Sequence, residues 1–325
     1  MKYRIISIAF FTLFLSACEK EYYTGAIPEL VPPSVPAGGV ANSAILSENE
    51  NSITIEVDFY IVDGFGGVIK SLDIDDIYIE IFDSISLINT RIVTIDSEDK
   101  GEYSALTLYD DSGSIASTDP NDDRIKAGIA MVDLLVGNEE MCVTRFTTSL
   151  RDRYEIMVPF TKNKNELKAG IEILSLGESG NTPLYFSMFE MLNYIDDNAG
   201  NSNHALIAFT DGKDNVGNVS ITSIIARANR LNIPIYTIGL GLGTNLDELA
   251  AIAFQTGGAI MLADNAKQLI ALYSSLSELL RGNIDLFRLT AEIDKSSFRF
   301  GNLNNAFLVV TLPSGEIVRL PVRFG

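Results

Sequence analysis

The chain has 325 residues, with 43 acidic and 24 basic side chains, and its formal charge at pH 7 is −19. That length allows two compact domains, and an apolar content of 46% is that of a globular protein rather than a disordered polyanion. The acidic balance argues against nucleic acid or an anionic membrane surface as an electrostatic partner, and the single histidine excludes sites built from several imidazoles.

The N-terminus has the pattern of an export signal. Two basic residues precede an apolar run over residues 5–15, which is too short to span a bilayer as a helix. The run ends in Leu-Ser-Ala-Cys at Cys18, which resembles the bacterial lipoprotein box. This resemblance implies a signal peptide over residues 1–17 and lipidation of Cys18 as the first residue of the mature chain. An ordinary secretory signal with an incidental cysteine is the alternative.

A proline-rich stretch follows Cys18. Prolines at four positions between residues 28 and 36 favour an extended spacer, and we predict such a tether over residues 18–49. The charged run at residues 19–21 is similar to the surface-export signals of Bacteroidota lipoproteins. We therefore expect a lipid-anchored protein of the bacterial envelope, at the outer membrane and displayed at the cell surface. With Cys18 acylated, Cys142 has no disulfide partner, and we expect it to be a buried thiol.

Period-two alternation of apolar residues predicts strands near both ends of the body. The N-terminal set lies within residues 50–102 and the C-terminal set within residues 283–325. Each set has too few strands and too small an apolar face to fold alone. We predict that the two sets form one β-sandwich into which the central domain is inserted. Two separate β appendages are the alternative.

The central residues, 104–281, alternate apolar strands with longer helical patterns. The predicted strands are Ala105–Tyr109, Met141–Thr147, Tyr154–Phe160, Ala205–Phe209, Ile233–Ile238 and Ala259–Leu262. The predicted helices cover residues 122–136, 164–175, 184–197, 219–231, 245–256 and 265–281. This order predicts an α/β fold with a doubly wound, parallel, Rossmann-like sheet, in which ligands bind at the carboxyl ends of the strands.

Five oxygen-bearing side chains are expected at that edge of the sheet. Asp110, Ser112 and Ser114 follow the first strand with D-x-S-x-S spacing, Thr182 precedes a helix, and Asp211 ends a buried strand. Carboxylate and hydroxyl oxygens suit a hard divalent cation that keeps an open coordination position. The acidity of the chain thus has two readings, which are plain solubility and carboxylates gathered around a cation.

The motifs of these segments resemble those of the von Willebrand factor type A (vWA) family. They are D-x-S-x-S at 110–114, G-x-T-P-L at 180–184, F-T-D-G-x-D-N at 209–215 and I-Y-T-I-G at 235–239. The resemblance implies a metal-ion-dependent adhesion site for Mg²⁺ or Mn²⁺ formed by the five side chains. It also implies that the open position accepts a carboxylate from a protein ligand, so the expected function is membrane-anchored adhesion or protein binding. A metal-independent scaffold subunit of an envelope assembly is the alternative.

Asp111 departs from the pattern of that family, in which small residues are commoner at this position, and we expect its charge to weaken the binding of an acidic ligand. The D-S-G-S sequence at 111–114 is also that of an aspartic-protease turn, but the second such turn that this chemistry needs is absent. No nucleophile and base pair has sequence support, so we do not expect an enzyme. The Asp-rich loop at 117–124 is interpreted as the lead-in to a helix rather than as part of a ligand-binding rim.

Overall fold

The structure of the chain is a computed structural model that describes residues 35–72, 77–80, 84–175, 177–241, 244–263, 266–297, 303 and 306–324. The chain divides into two units, residues 1–31 and residues 32–325. The first unit, which includes the predicted signal peptide and Cys18, lies outside the described residues.

Most of the described chain is in regular secondary structure. The strands are β1 (Ala37–Glu48), β2 (Ser52–Val62), β3 (Ile77–Glu80), β4 (Ser84–Ile85), β5 (Ile88–Ile95), β6 (Tyr103–Asp110), β7 (Glu140–Phe146), β8 (Tyr154–Thr161), β9 (Asn203–Thr210), β10 (Ile235–Leu240), β11 (Ile260–Ala263), β12 (Leu286–Asp294), β13 (Ala306–Thr311) and β14 (Ile317–Val322). The helices are α1 (Ile115–Thr118), α2 (Asp123–Asp133), α3 (Lys164–Glu172), α4 (Leu184–Asn198), α5 (Ile221–Leu231), α6 (Leu246–Gln255) and α7 (Leu269–Arg281). Short 3₁₀ turns lie at Ile173–Ser175, Ala266–Gln268 and Lys295–Ser297.

The central domain is the predicted doubly wound α/β fold. Its strands follow the order β11-β10-β9-β6-β7-β8, and all of these neighbours pair in parallel except β7 and β8. Helices α2, α3 and α7 pack on one face of the sheet, and α4, α5 and α6 pack on the other. Because both faces are covered, β6 is buried along its whole length and reads in the sequence as an apolar run.

One strand of this domain differs in direction from the prediction of a fully parallel sheet. Strand β8 runs antiparallel to β7 because only residues 147–153 connect them. A connection of that length closes a hairpin, whereas a parallel crossover needs a dozen or more residues.

The N-terminal and C-terminal β segments pair with each other around the inserted domain. Strand β12 lies between β2 and β5, and β13 pairs with β3, so each sheet contains strands from both ends of the chain. The second sheet has the order β14-β13-β3-β4. Ile55 of β2, Ile79 of β3 and Leu308 of β13 belong to one buried cluster, as expected for a sandwich rather than for separate appendages.

The tether predicted over residues 18–49 is wrong in its C-terminal part, because residues 37–48 form β1. This strand pairs antiparallel with β2 and β11 and thereby joins the sandwich strands and the central strands into one sheet of ten. A Cβ atom at Gly38 would lie 2.4 Å from the carbonyl oxygen of Tyr60, so the close approach to β2 requires glycine here. The glycines and short side chains at the start of β1 hide the alternation that marks the other strands.

None of the helices in the described ranges is both long and apolar enough to span a membrane.

Truncation of the core of the sandwich should destabilise the protein strongly. Ile55 is completely buried on β2, and the Ile55→Ala change should lower the free energy of unfolding by about 2–5 kcal/mol, because it removes buried methyl groups and leaves a cavity. Ile88 at the edge strand β5 is 44% exposed and supplies the matched control, since Ile88→Ala should cost less than about 1 kcal/mol. Urea unfolding followed by circular dichroism measures both, and equal costs would contradict the assignment of this core.

Candidate metal centre

Asp110 ends β6 and is completely buried. The backbone N–H of Ser112 donates to its Oδ1 at 2.9 Å, and the Thr210 hydroxyl at the end of β9 donates to its Oδ2 at 2.7 Å. Burial raises the pKa of Asp110 to about 6, since its hydrogen bonds only partly offset the loss of hydration, and the nearby charge of Asp211 acts in the same direction. The site therefore holds this carboxylate in an environment that disfavours its negative charge.

The hydroxyls of the first loop lead from Asp110 to Asp211. The Oγ atoms of Ser112 and Ser114 lie 3.2 Å apart, and Ser114 Oγ donates to Asp211 Oδ1 at 2.8 Å. Thr118, at the end of α1, donates to the other oxygen of Asp211. Four of the five predicted donors are therefore connected through short polar contacts.

Thr182 reaches the same edge of the sheet from the start of α4. A Cβ atom at Gly212 would lie 3.7 Å from Thr182 Oγ1, which places this hydroxyl beside the turn that follows Asp211. Thr182 and Asn215 exchange two hydrogen bonds: the Thr182 N–H donates to Asn215 Oδ1 at 2.9 Å, and the Asn215 N–H donates to the Thr182 carbonyl at 3.2 Å. Each of the five predicted donors thus lies at the carboxyl edge of the central strands.

Two residues with supporting roles were missed by reasoning from the sequence. Thr118 lies four residues after Ser114, and that spacing on a helical turn is the signal that could have identified it. Asn215 is the last residue of the F-T-D-G-x-D-N motif, and that motif is the signal that could have identified it. Its neighbour Asp214 accepts from the N–H of Tyr185 at 3.1 Å, so the end of this motif also binds the first turn of α4.

The donor set fits a divalent cation. Asp110 and Asp211 are both buried, and in the described part of the chain neither forms an ion pair with a lysine or an arginine. Buried carboxylates without a positive partner are costly, and a bound cation would remove that cost. Among the described residues no three His, Cys, Asp or Glu side chains converge, so the site consists of two carboxylates and neutral hydroxyls. Such all-oxygen sites suit Mg²⁺ and Mn²⁺.

Asp111 has a different environment from Asp110. Its Oδ2 lies 3.1 Å from Nη1 of Arg145 on β7, and its Oδ1 lies 4.0 Å from Nη2 of Arg124 on α2. Burial raises the pKa of Asp111 to about 6, although both arginines favour its ionised form. The charge that distinguishes this chain at position 111 is thus offset by two guanidinium groups, which argues against the expected weakening of an acidic ligand.

Comparison with known proteins gives a family match for the central domain. The model of the von Willebrand factor type A domain matches residues 106–275, which contain all five predicted donors. No curated protein matches the chain.

Three of the similar solved structures cover different shares of the chain. One is a von Willebrand factor type A protein from Catenulispora acidiphila, which is 12% identical to this chain. The alignment covers 90% of this chain and 74% of that protein, with a TM-score of 0.49. Proximal thread matrix protein 1 from the mussel byssus, with a zinc-occupied MIDAS motif, is 20% identical over 57% of this chain, with a TM-score of 0.41. This chain spans about half of that protein, 48%. Manganese-loaded TRAP protein from Plasmodium vivax is 18% identical. The alignment covers 62% of this chain and 82% of that protein, with a TM-score of 0.42.

The raised pKa of Asp110 predicts how the metal-free protein responds to pH. The folded protein should hold this proton more tightly than the unfolded chain between about pH 4 and pH 6, so its stability should fall as the pH rises through that window. A shift of about two pKa units corresponds to about 3 kcal/mol. Asn at position 110 cannot titrate. In EDTA, the free energy of unfolding of Asp110→Asn should therefore fall by about 3 kcal/mol less than that of the wild type when the pH is raised from 4 to 7. Urea unfolding at each pH measures this difference. Asp111 is present in both proteins and cancels in the difference, and parallel stability curves would contradict the assignment.

Proposed function

The chain belongs to the von Willebrand factor type A family, and from this membership and the geometry of the site we propose that it binds a protein partner through a divalent cation, Mg²⁺ or Mn²⁺. The observation that carries the proposal is the pair of buried carboxylates, Asp110 and Asp211, which have no basic partner in the described chain and are accompanied by three hydroxyls. A site that only connected three loops could use neutral side chains and avoid the cost of two buried charges.

The five side chains would divide the work between charge and coordination. Ser112, Ser114 and Thr182 supply neutral oxygen ligands, while Asp110 and Asp211 supply two negative charges close to the same point. When bound, the cation would supply an electrophilic contact for an incoming anion. Because the two carboxylates only balance its charge and the hydroxyls add none, the site can accept one further carboxylate. An aspartate or glutamate of a protein partner is the ligand with that chemistry.

Members of this family bind other proteins, and the composition of the site supports binding rather than catalysis. The hydroxyls of Ser112 and Ser114 have no imidazole to activate them, because the single histidine of the chain, His204, is the second residue of β9, at the opposite end of the strand from Thr210. Cys142 is completely buried, and burial raises the pKa of its thiol, so it is not a nucleophile at neutral pH.

The proposal also includes the lipid anchor at Cys18 and a position in the bacterial envelope, at the outer membrane with display at the cell surface. Its support is the sequence alone: the basic start, the short apolar run, the Leu-Ser-Ala-Cys box and the proline-rich stretch. An anchored module would present its cation site to proteins outside the membrane, whereas the membrane itself would be contacted only through the lipid.

Removal of the metal is the direct test of the site. At a Mg²⁺ concentration about 100-fold above its Kd, the wild type should gain about 2.7 kcal/mol of stability relative to EDTA. Asp110→Ala and Thr182→Ala should each lose most of that gain. Asp196→Ala, on the exposed part of α4, is the control and should keep it. Calorimetric thermal unfolding with Mg²⁺, with Mn²⁺ and with EDTA measures the effect, and an unchanged melting temperature for the wild type would sink the proposal.

Crosslinking can distinguish a partner that binds through the cation from a partner of a metal-independent scaffold. Crosslinking in intact cells followed by affinity capture should recover a protein that is lost in EDTA and lost with Thr182→Ala. Recovery of the same protein in equal amounts with and without EDTA would instead favour the scaffold role.

The anchor has its own test. Cys18→Ser should move the protein from the membrane fraction to the soluble fraction of cells, because the modified thiol is absent. Cys142→Ala is the matched control, since this buried side chain on β7 should have no effect on the fraction. Retention of the Cys18→Ser protein in the membrane fraction would exclude lipidation as the anchor.

A further inference from the structure

Arg124 lies in the first turn of α2, and its side chain is completely buried. The segments around it are the one that follows the loop of Ser112 and Ser114 and the one that precedes Thr182. Building on the proposed function, we infer that Arg124 is a positioning residue: it holds the loop of Ser112 and Ser114 against the loop of Thr182 and thereby sets the affinity of the site for its cation.

The guanidinium connects two distant segments through four acceptors. Its Nη1 donates to Asp119 Oδ2 at 3.0 Å and to Asp122 Oδ1 at 3.2 Å. Its Nη2 donates to the Leu174 carbonyl at 2.8 Å and to Glu178 Oε1 at 2.7 Å. Asp119 and Asp122 follow the loop of Ser112 and Ser114, whereas Leu174 and Glu178 precede Thr182. One planar guanidinium therefore connects the segments next to both loops.

The two loops also meet directly beside these contacts. The Ser179 N–H donates to the Asp111 carbonyl at 3.1 Å, and the Gly113 N–H donates to the Gly180 carbonyl at 3.2 Å. Glu178 precedes Ser179, and the Asp111 carboxylate lies 4.0 Å from Arg124 Nη2. Arg124 is therefore anchored next to the two backbone hydrogen bonds that align Ser112 and Ser114 with the residues before Thr182.

Asp119 extends the connection to Asp211. Its Oδ1 accepts from the Asp123 N–H at 2.8 Å, and its Oδ2 accepts from both the backbone and the guanidinium of Arg124. The residue before it, Thr118, donates to Asp211. The Asp-rich loop is thus a helix lead-in, as predicted, and it also carries the buried partner of Arg124.

The geometry of these contacts is specific to arginine. The four acceptors lie around a planar fork, whereas the single nitrogen of lysine cannot serve both segments from one position. Arg124→Lys keeps the positive charge but should release one of the two loops. The expected consequence is a change in the alignment of the loops, beyond any general loss of stability.

Arg281 offers a matched control in the same chain. It is a largely buried arginine at the end of α7, and it contacts Glu139, Glu278 and the Leu134 carbonyl. None of these partners lies in the loops of the metal centre. Arg281→Lys should therefore reproduce the loss of stability that follows from a buried Arg-to-Lys change without a change at the site.

The test combines a readout without metal and one with metal. In EDTA, hydrogen exchange followed by NMR should show the Gly113 and Ser179 amides exchanging about tenfold faster in Arg124→Lys than in the wild type, relative to global stability. Isothermal titration with Mg²⁺ should show a Kd about tenfold weaker. In Arg281→Lys both quantities should stay within about twofold of the wild type. In Glu178→Gln, Arg124 loses only one charged partner. The exchange rates of the two amides and the Kd for Mg²⁺ should therefore both increase by about threefold.

The outcomes separate this inference from the proposed function. Unchanged exchange at Gly113 and Ser179 in Arg124→Lys, or in Glu178→Gln if the first variant does not fold, overturns the role of Arg124 whether or not the protein binds Mg²⁺. Equal acceleration in Arg281→Lys also overturns it, because the effect would then be general. Faster exchange in Arg124→Lys with no Mg²⁺ binding by the wild type contradicts the proposed function, and leaves Arg124 as the residue that aligns the two loops.

Discussion

The buried parallel sheet holds two carboxylates close together at the ends of two neighbouring strands, and this constraint determines the arrangement of the site. Strands β6 and β9 are neighbours, and each ends at the carboxyl edge, at Asp110 and just before Asp211. Their apolar side chains enter the cores on both faces, so the sheet brings the carboxylates together irrespective of their mutual repulsion. Hydroxyl donors from Thr118, Ser114 and Thr210 reduce the cost but add no positive charge. The packing of the sheet thus stabilises two neighbouring carboxylates that have no basic partner among the described residues, which is the arrangement proposed above to bind a cation.

The contrast between Asp110 and Asp111 shows how local this constraint is. The two carboxyls are adjacent in the chain, and burial raises the pKa of both to about 6. Asp111 nevertheless has Arg145 and Arg124 as neighbours, while Asp110 has only hydroxyl and amide donors. Among the described ion pairs, the two arginines therefore contact Asp111, whereas Asp110 and Asp211 have no basic partner that would compete with a cation.

Much of the central domain, and the position of the five proposed donors at one edge of its sheet, could be predicted from the sequence because both depend on local patterns. Buried parallel strands read as apolar runs, and their ends lie next to the polar motifs at 110–114 and 209–215. Features set by distant contacts could not be predicted. Strand β1 pairs through glycines that carry no periodic signal, and Arg124 depends on Glu178, which is 54 positions away in the chain. The direction of β8 is a different case, because it follows from the short connection after β7, which the sequence does contain, and not from the apolar pattern of the strand.

Strand β1 also determines how the body would respond to mechanical load. A pull on the chain from its N-terminal side would act along a strand of 12 residues that lies between β2 and β11. Its hydrogen bonds to β2 run from Ala37 to Glu48, so a force along the strand would load many of them in shear at once instead of opening them one by one. Through β11 the same load would pass into the parallel sheet whose strand ends carry Asp110 and Asp211. A molecule held at one end and bound to a partner at the other would thus bear tension along a continuous sheet rather than across a flexible joint.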